Sequence, residues 1–175
     1  MRTLGLFIML VISLIGFTSC EKNAIEETDG ANVERFIGLL KSNSFDSLYL
    51  PSFSVNDIPA LLEYRNETQV ISDFPTNFIS SFYLNECALG VYVLWTIESV
   101  RAKAIDSKYL FAGFPSQNPI LSVRNALDLR VGYDRSNGHE VAARAYYDWW
   151  QNNRSKGVRR MMEIDPLANT SYQWH

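Results

Sequence analysis

The sequence predicts an all-α fold, a compact array or irregular bundle of about five to six helices around a central apolar helix over Glu86–Ile105. Three observations lead there. Between Cys87 and Ile97 only Gly90 and Thr96 interrupt a run of apolar residues, and at 11 residues the run is too short to span a bilayer. A helix apolar on every side that does not cross a membrane must be enclosed by the rest of the domain. Two further stretches, Val33–Leu40 and His139–Asn153, repeat their apolar residues with the helical period. Between them stand turn formers such as Pro51, Pro75 and Ser136-Asn137-Gly138.

Taken in order, the first helix opens at Val33 with Asn32 as N-cap, since Val33, Phe36, Ile37 and Leu40 share one face. Ser42–Ser54 reads as loop. Asp57 caps a second helix that carries Pro59 in its first turn and runs to about Arg65. Thr68–Thr76 reads as connecting chain, with a helical stretch beginning near Asn77. The central helix follows, and Gly90 within it admits a close neighbour. Ser116–Leu129 forms a weaker helix begun by Asn118-Pro119. His139–Asn153 is the last long helix. On it Glu140, Arg144, Asp148 and Gln151 fall within about 80°, a wet stripe on a helix whose other residues up to Trp150, His139 apart, are apolar or aromatic. Gly157 suits the position just past its end, a short helical turn covers Val158–Ile164 before Pro166, and the tail to His175 reads as irregular. Phe74-Pro75-Thr76-Asn77 returns as Phe114-Pro115-Ser116 with Asn118, 40 residues later. Paired-helix repeats of that period build solenoids, so a repeat-like array is a variant of the same fold class.

Composition narrows function. Hydrophobic residues make up 47% and charged residues 20%, which is a globular balance. The net charge of −3 speaks against nucleic acid as a partner. Two His and two Cys nearly exclude a metal site built on those ligands.

The N-terminus reads as an address. Leu4–Phe17 is an apolar run of signal-peptide length, and it ends in Phe17-Thr18-Ser19-Cys20. That string resembles a bacterial lipobox, in which the cysteine is acylated and the chain is cut before it; Phe17 stands where leucine is usual. Residues 1–19 are then a signal peptide. Residues 20–32 are a lipidated cysteine and an acidic tether carrying Glu21, Glu26, Glu27 and Asp29, and residues 33–175 are one helical domain. Cutting removes Arg2 and no acid, so the charge moves from −3 to −4. The membrane would hold the protein through its lipid, since two acyl chains anchor stably and an anionic protein gains nothing beside anionic headgroups. Acidic residues after such a cysteine also resemble surface-export signals of Bacteroidetes-type lipoproteins. Only Cys87 would remain as a thiol, so no internal disulfide is expected.

Chemistry-bearing residues are few. Glu98 and Arg101 stand one turn apart in the central helix, either as a buried ion pair that ties down a neighbouring loop or as a desolvated carboxylate able to serve a hydrolase. His139-Glu140 lacks the second histidine of a zinc protease helix, because Ala143 stands there. Neither a Gly-x-Ser-x-Gly elbow nor a glycine-rich phosphate loop is present, and Cys87 sits among apolar neighbours. No catalytic residue, metal ligand or cofactor is therefore assigned. Tyr146-Tyr147-Asp148-Trp149-Trp150 is the most unusual string. Aromatic faces beside a carboxylate suit sugars, and Tyr147 and Trp150 border the wet stripe that holds Asp148, whereas Tyr146 and Trp149 align with the core. Arg154, Lys156, Arg159 and Arg160 form a basic run at the helix exit, and Asp46-Ser47-Leu48 fits a short O-glycosylation pattern of Bacteroidetes-type bacteria.

With its lipobox, Cys87-Ala88-Leu89-Gly90, Trp95–Arg101, Tyr147–Trp150 and Pro166-Leu167, the chain resembles uncharacterised single-domain lipoproteins of Bacteroidetes-type gut bacteria. The resemblance implies a location in the cell envelope, at the outer membrane, and assigns no chemistry. The expected role is a non-catalytic interaction module that meets an envelope protein or glycan. The alternatives are glycan binding by Tyr147, Asp148 and Trp150, and hydrolysis at Glu98.

Overall fold

The computed structural model describes residues 30–80, 84–116, 118–124 and 137–175. The expected signal peptide, Cys20 and most of the expected tether lie outside the described residues. Among those described are five helices and four short strands: α1 (Gly30–Lys41), α2 (Ile58–Glu63), β1 (Val70–Ile71), β2 (Cys87–Ala88), α3 (Leu89–Ala104), β3 (Leu121–Val123), α4 (Gly138–Asn153), α5 (Val158–Met162) and β4 (Tyr172–Trp174). The strands form two antiparallel pairs, β1 with β2 and β3 with β4. The expectation of an all-α domain is thus corrected to a mixed α and β one.

Helix α3 is the axis of the core. Leu89, Tyr92, Val93, Leu94, Trp95, Ile97 and Val100 are all buried, so nearly every azimuth is covered. Around it lie the apolar faces of α2 (Ile58, Leu61, Leu62), α4 (Ala142, Ala143, Tyr146, Trp149) and α5 (Met161, Met162). The face of α1 formed by Val33, Phe36, Ile37 and Leu40 joins this core, where Phe36 meets the Tyr92 ring. Such a helix owes its stability to apolar area removed from water more than to intrinsic propensity, since Val91, Val93, Thr96 and Ile97 are β-branched.

Several boundaries differ from expectation for local reasons. Asn32 lies inside α1, which starts earlier, at Gly30. Asp57 does precede α2, but its carboxylate turns back to accept from the Ser54 N–H at 2.7 Å, closing a capping box around the 3-10 turn Val55–Asp57. No helix forms at Asn77–Ser80, because the Asn77 carboxamide oxygen takes the Ile79 N–H and the segment turns. The helix expected over Ser116–Leu129 is replaced by β3 at Leu121–Val123; Leu121 pairs with Trp174 and Val123 with Tyr172 in the tail read as irregular. Residues 117 and 125–129 of that expected helix lie outside the described residues. Cys87 and Ala88 form β2, opposite Ile71 and Val70, before α3 begins. Gly157 caps the start of α5 and does not close α4.

The 40-residue echo builds no solenoid. Its two copies dock side by side on successive turns of α3. Phe74 packs on Tyr92 at 4.8 Å between ring centroids and Phe114 stacks on Trp95 at 5.5 Å. The Tyr92 hydroxyl donates to the Pro75 carbonyl at 2.8 Å, and the Trp95 indole N–H donates to Ser116 Oγ at 2.7 Å. The copies also join each other, through Asn77 Nδ2 to the Ser116 carbonyl and Asn118 Nδ2 to Ser80 Oγ. Two loops with similar sequences therefore answer two aromatics three residues apart.

Gly90 is needed for close approach. A Cβ there would lie 2.5 Å from the Arg65 carbonyl oxygen and would also collide with the His139 ring. Its N–H donates to the Glu67 carbonyl at 2.8 Å, and His139 Nε2 lies 2.7 Å from the Arg65 carbonyl. A carbonyl only accepts, so Nε2 carries the proton. This contact joins the starts of α3 and α4 to the end of α2.

Candidate functional site

Helix α4 is amphipathic, and its period decides what faces outward. Ala142, Ala143, Tyr146 and Trp149 turn into the core, whereas Glu140, Arg144, Asp148 and Gln151 are exposed. The chain returns past this exposed side after α5, where Asp165 Oδ1 accepts the Leu167 N–H at 2.8 Å and fixes the turn through Pro166. Between α4 and residues 164–170 lies an open cleft of about 550 Å3. Glu140, Arg144, Asp148 and Asn152 line one wall. Ile164, Asp165, Pro166, Asn169 and Thr170 line the other, over a floor that includes Val141, Ala145 and Trp149.

The polar groups of the cleft divide into two sets. Asn153 donates to the Trp149 carbonyl and accepts from Lys156 Nζ, and the Thr170 hydroxyl serves the Leu167 carbonyl and the Tyr172 N–H. Glu140 pairs with Arg144 at 3.1 Å, and Asp165 with Arg124 at 3.6 Å. By contrast, the side chains of Asp148, Asn152 and Asn169 have no hydrogen-bond or ionic partner among the described residues.

Of the three aromatic-site residues read from the sequence, Asp148 lines this cleft, while Tyr147 and Trp150 lie round the helix beyond Glu140 and do not. Tyr147 is 40% exposed, and the Arg65 guanidinium stacks on its ring at 4.4 Å. Trp150 is half-buried against Trp149, with ring centroids 6.1 Å apart. The aromatic beneath Asp148 is Trp149, only 4% exposed, with its indole N–H given to the Met161 carbonyl. Sequence reasoning missed Asn152, Asn169 and the wall at 164–170. The one signal available was the Asp165-Pro166 turn, which says that the chain bends but not what it faces.

Glu98 and Arg101 lie elsewhere, inside the core. Arg101 donates Nε and Nη2 to the Glu98 carboxylate at 2.9–3.0 Å, and Nη1 to the Met162 carbonyl at 2.7 Å. The Tyr146 hydroxyl donates to Glu98 Oε1 and accepts the Trp174 indole N–H at 2.8 Å. One network therefore ties α3, α4, α5 and β4 together. Burial pushes the Tyr146 hydroxyl well above its ordinary value, and the Glu98 charge adds to this. For Arg101 burial opposes the charge, but the Glu98 carboxylate outweighs it and holds the guanidinium above its usual value. Cys87 is half-buried in β2, and burial raises its thiol, with Glu86 adding to the effect, so it is a poor nucleophile.

Among the described residues no group of His, Cys, Asp and Glu could hold a metal ion, and no helix is long and apolar enough to cross a membrane. Asp46-Ser47-Leu48 stands in an exposed loop, where Ser47 Oγ accepts the Tyr49 N–H and donates to its carbonyl. In the basic run, Arg159 pairs with Glu163 at 3.4 Å and Lys156 is held by Asn153.

These features define a single mixed helical domain with a polar cleft beside its second long helix. Residues 27–175 match the model of a family described as a domain of unknown function, DUF4943, and the chain belongs to that family. No curated protein and no solved structure gives a significant match.

Proposed function

We propose that the protein is a lipoprotein of the bacterial cell envelope, anchored through Cys20 at the outer membrane, whose domain is a non-catalytic binding module for an envelope protein or glycan. The apolar run Leu4–Phe17, the lipobox-like Phe17–Cys20 and the acidic residues after it support the anchor. The observation that carries the binding role is the cleft beside α4. Asp148, Asn152 and Asn169 line it with polar groups that the described fold does not use. Exposed groups with no role in folding, held on a helix and on the turn that faces it, are what a recognition surface requires.

A hydrolase centred on Glu98 finds no support in the geometry. Its carboxylate is buried, is hydrogen-bonded by Arg101 and Tyr146, and lies off the cleft. A general acid or base must reach a substrate proton, and this one faces the core.

The test is carried out in a Bacteroidetes-type host. Mass spectrometry of the mature protein is expected to find an acylated N-terminal Cys20, and Cys20→Ala to leave an uncut precursor. Crosslinking in the envelope should capture a partner from the wild type and much less from Asp148→Ala/Asn152→Ala. An unacylated mature chain beginning elsewhere would sink the anchor. Equal capture by both proteins would sink the cleft as the binding surface.

A further inference from the structure

We infer that the cleft between α4 and residues 164–170 takes a neutral, hydroxyl-rich carbohydrate, a reading that rests on the binding role proposed above. The first argument is charge. Glu140, Asp148 and Asp165 bring three carboxylates to the walls, against Arg144 from within the lining and Arg124 behind Asp165. Glu140 is satisfied by Arg144 and Asp165 by Arg124, which leaves Asp148 as the uncompensated charge. A phosphate, sulfate or carboxylate ligand would meet that charge, while the one cation in the lining, Arg144, already faces Glu140. A cationic ligand would gain one exposed carboxylate, and exposed pairs contribute little.

The second argument is donor and acceptor count. Asn152 and Asn169 each offer a carbonyl oxygen and an NH2 group, Asp148 offers acceptors, and Arg144 keeps N–H groups beyond the one given to Glu140. A ligand that satisfies such a set must both donate and accept at neighbouring atoms. A hydroxyl does both, and a sugar ring carries several at short spacing. The cleft also keeps apolar patches at Val141, Ala145, Ile164 and Pro166, with the edge of Trp149 beneath, against which the C–H faces of a pyranose can lie. Its volume of about 550 Å3 accommodates one or two sugar rings, and its open side lets a longer chain run out. Asp148 is therefore a ligand acceptor in a setting different from the Tyr147–Trp150 face, which lies round the helix from it.

The experiment uses the full acylated chain in a zwitterionic detergent without a sugar headgroup. Amide resonances are followed by NMR while maltohexaose, mannohexaose, xylohexaose or chitohexaose is added to about 10 mM, with polygalacturonate and spermidine as charged probes. At least one neutral oligosaccharide is expected to shift the signals of Asp148, Asn152 and Asn169. Asp148→Ala and Asn152→Ala should each weaken that binding roughly tenfold at unchanged melting temperature, and Tyr147→Ala should leave it intact. Shifts at the cleft from polygalacturonate or spermidine alone would overturn the sugar while leaving the cleft a binding site. Shifts from sugars at Tyr147 and Trp150 alone would overturn the location. Silence from every probe would overturn the inference itself, and crosslinking to an envelope protein would then decide the broader binding role separately.

Discussion

Helices α3 and α4 each run for 16 residues and pack against one another. On α3 the buried polar side chains all serve the fold. Thr96 bonds back to the Tyr92 carbonyl, Glu98 is held by Arg101 and Tyr146, and the Tyr92 and Trp95 polar atoms reach the two proline loops. On α4 the buried side does the same through Tyr146, Trp149 and Asn153, but Asp148 and Asn152 on the outer side do nothing for the described structure. The polar side chains of α3 and of the inner half of α4 thus serve the fold, whereas Asp148 and Asn152 on the outer half do not. Substitutions should separate the two regions sharply.

The largest effect is expected where the core network loses its charge. Glu98→Ala leaves the Arg101 guanidinium without its counter-ion in the core and deprives Tyr146 of its acceptor. A loss of about 3–5 kcal/mol in urea unfolding is expected, as for other buried pairs broken from one side. Gly90→Ala should follow at about 3 kcal/mol. Its added methyl meets backbone at Arg65, which cannot rotate away as a side chain could, and overpacking then moves α2 or α4. A melting temperature like the wild type would show that the α2–α3–α4 junction is looser than drawn.

Tyr146→Phe should cost about 2 kcal/mol, since Glu98 loses one donor and the Trp174 N–H loses its acceptor. It also sharpens the pH dependence. Folding raises the Tyr146, Tyr92 and Cys87 values above their ordinary 10.0, 10.0 and 9.0. Above those ordinary values the unfolded chain has lost protons that the folded chain still holds, so stability falls as pH rises. The contribution is fully present below pH 9 and is lost progressively beyond it. The fall measured above pH 10 should be shallower in Tyr146→Phe than in the wild type. At the small end, Arg144→Ala on the outer stripe removes a surface pair with Glu140 and should change stability by about 0.5 kcal/mol or less.

How much of this was legible before the structure follows the same division. The core helix could be read because Cys87–Ile97 is apolar without a period, and α4 because its period is clean. The four strands could not. Each is two or three residues long, too short to show alternation, and β3 finds its partner β4 some 50 residues away, so pairing rather than local preference creates them. Asn118-Pro119 looks like a helix start in isolation. In the fold Asn118 is buried and bonded to Ser80, a contact between two loops that no local pattern announces. Asp148 was legible as wet, but the wall that makes it part of a cleft arrives with Ile164–Thr170, after a separate helix. The Glu98–Arg101 spacing showed that the two could meet, while Tyr146 and Trp174 join them only through packing of distant segments.

Asp148, Asn152 and Asn169, on the two walls of the cleft, are no part of what holds the domain together. The decisive measurement is urea unfolding of Asp148→Ala/Asn152→Ala/Asn169→Ala in the full chain. Ala suits α4 at least as well as Asp148 or Asn152, Asn169 lies in a turn, and the three side chains lack partners among the described residues, so the summed loss is expected to stay below about 1 kcal/mol. A loss above about 3 kcal/mol would mean that the three side chains are structural and unavailable to a ligand.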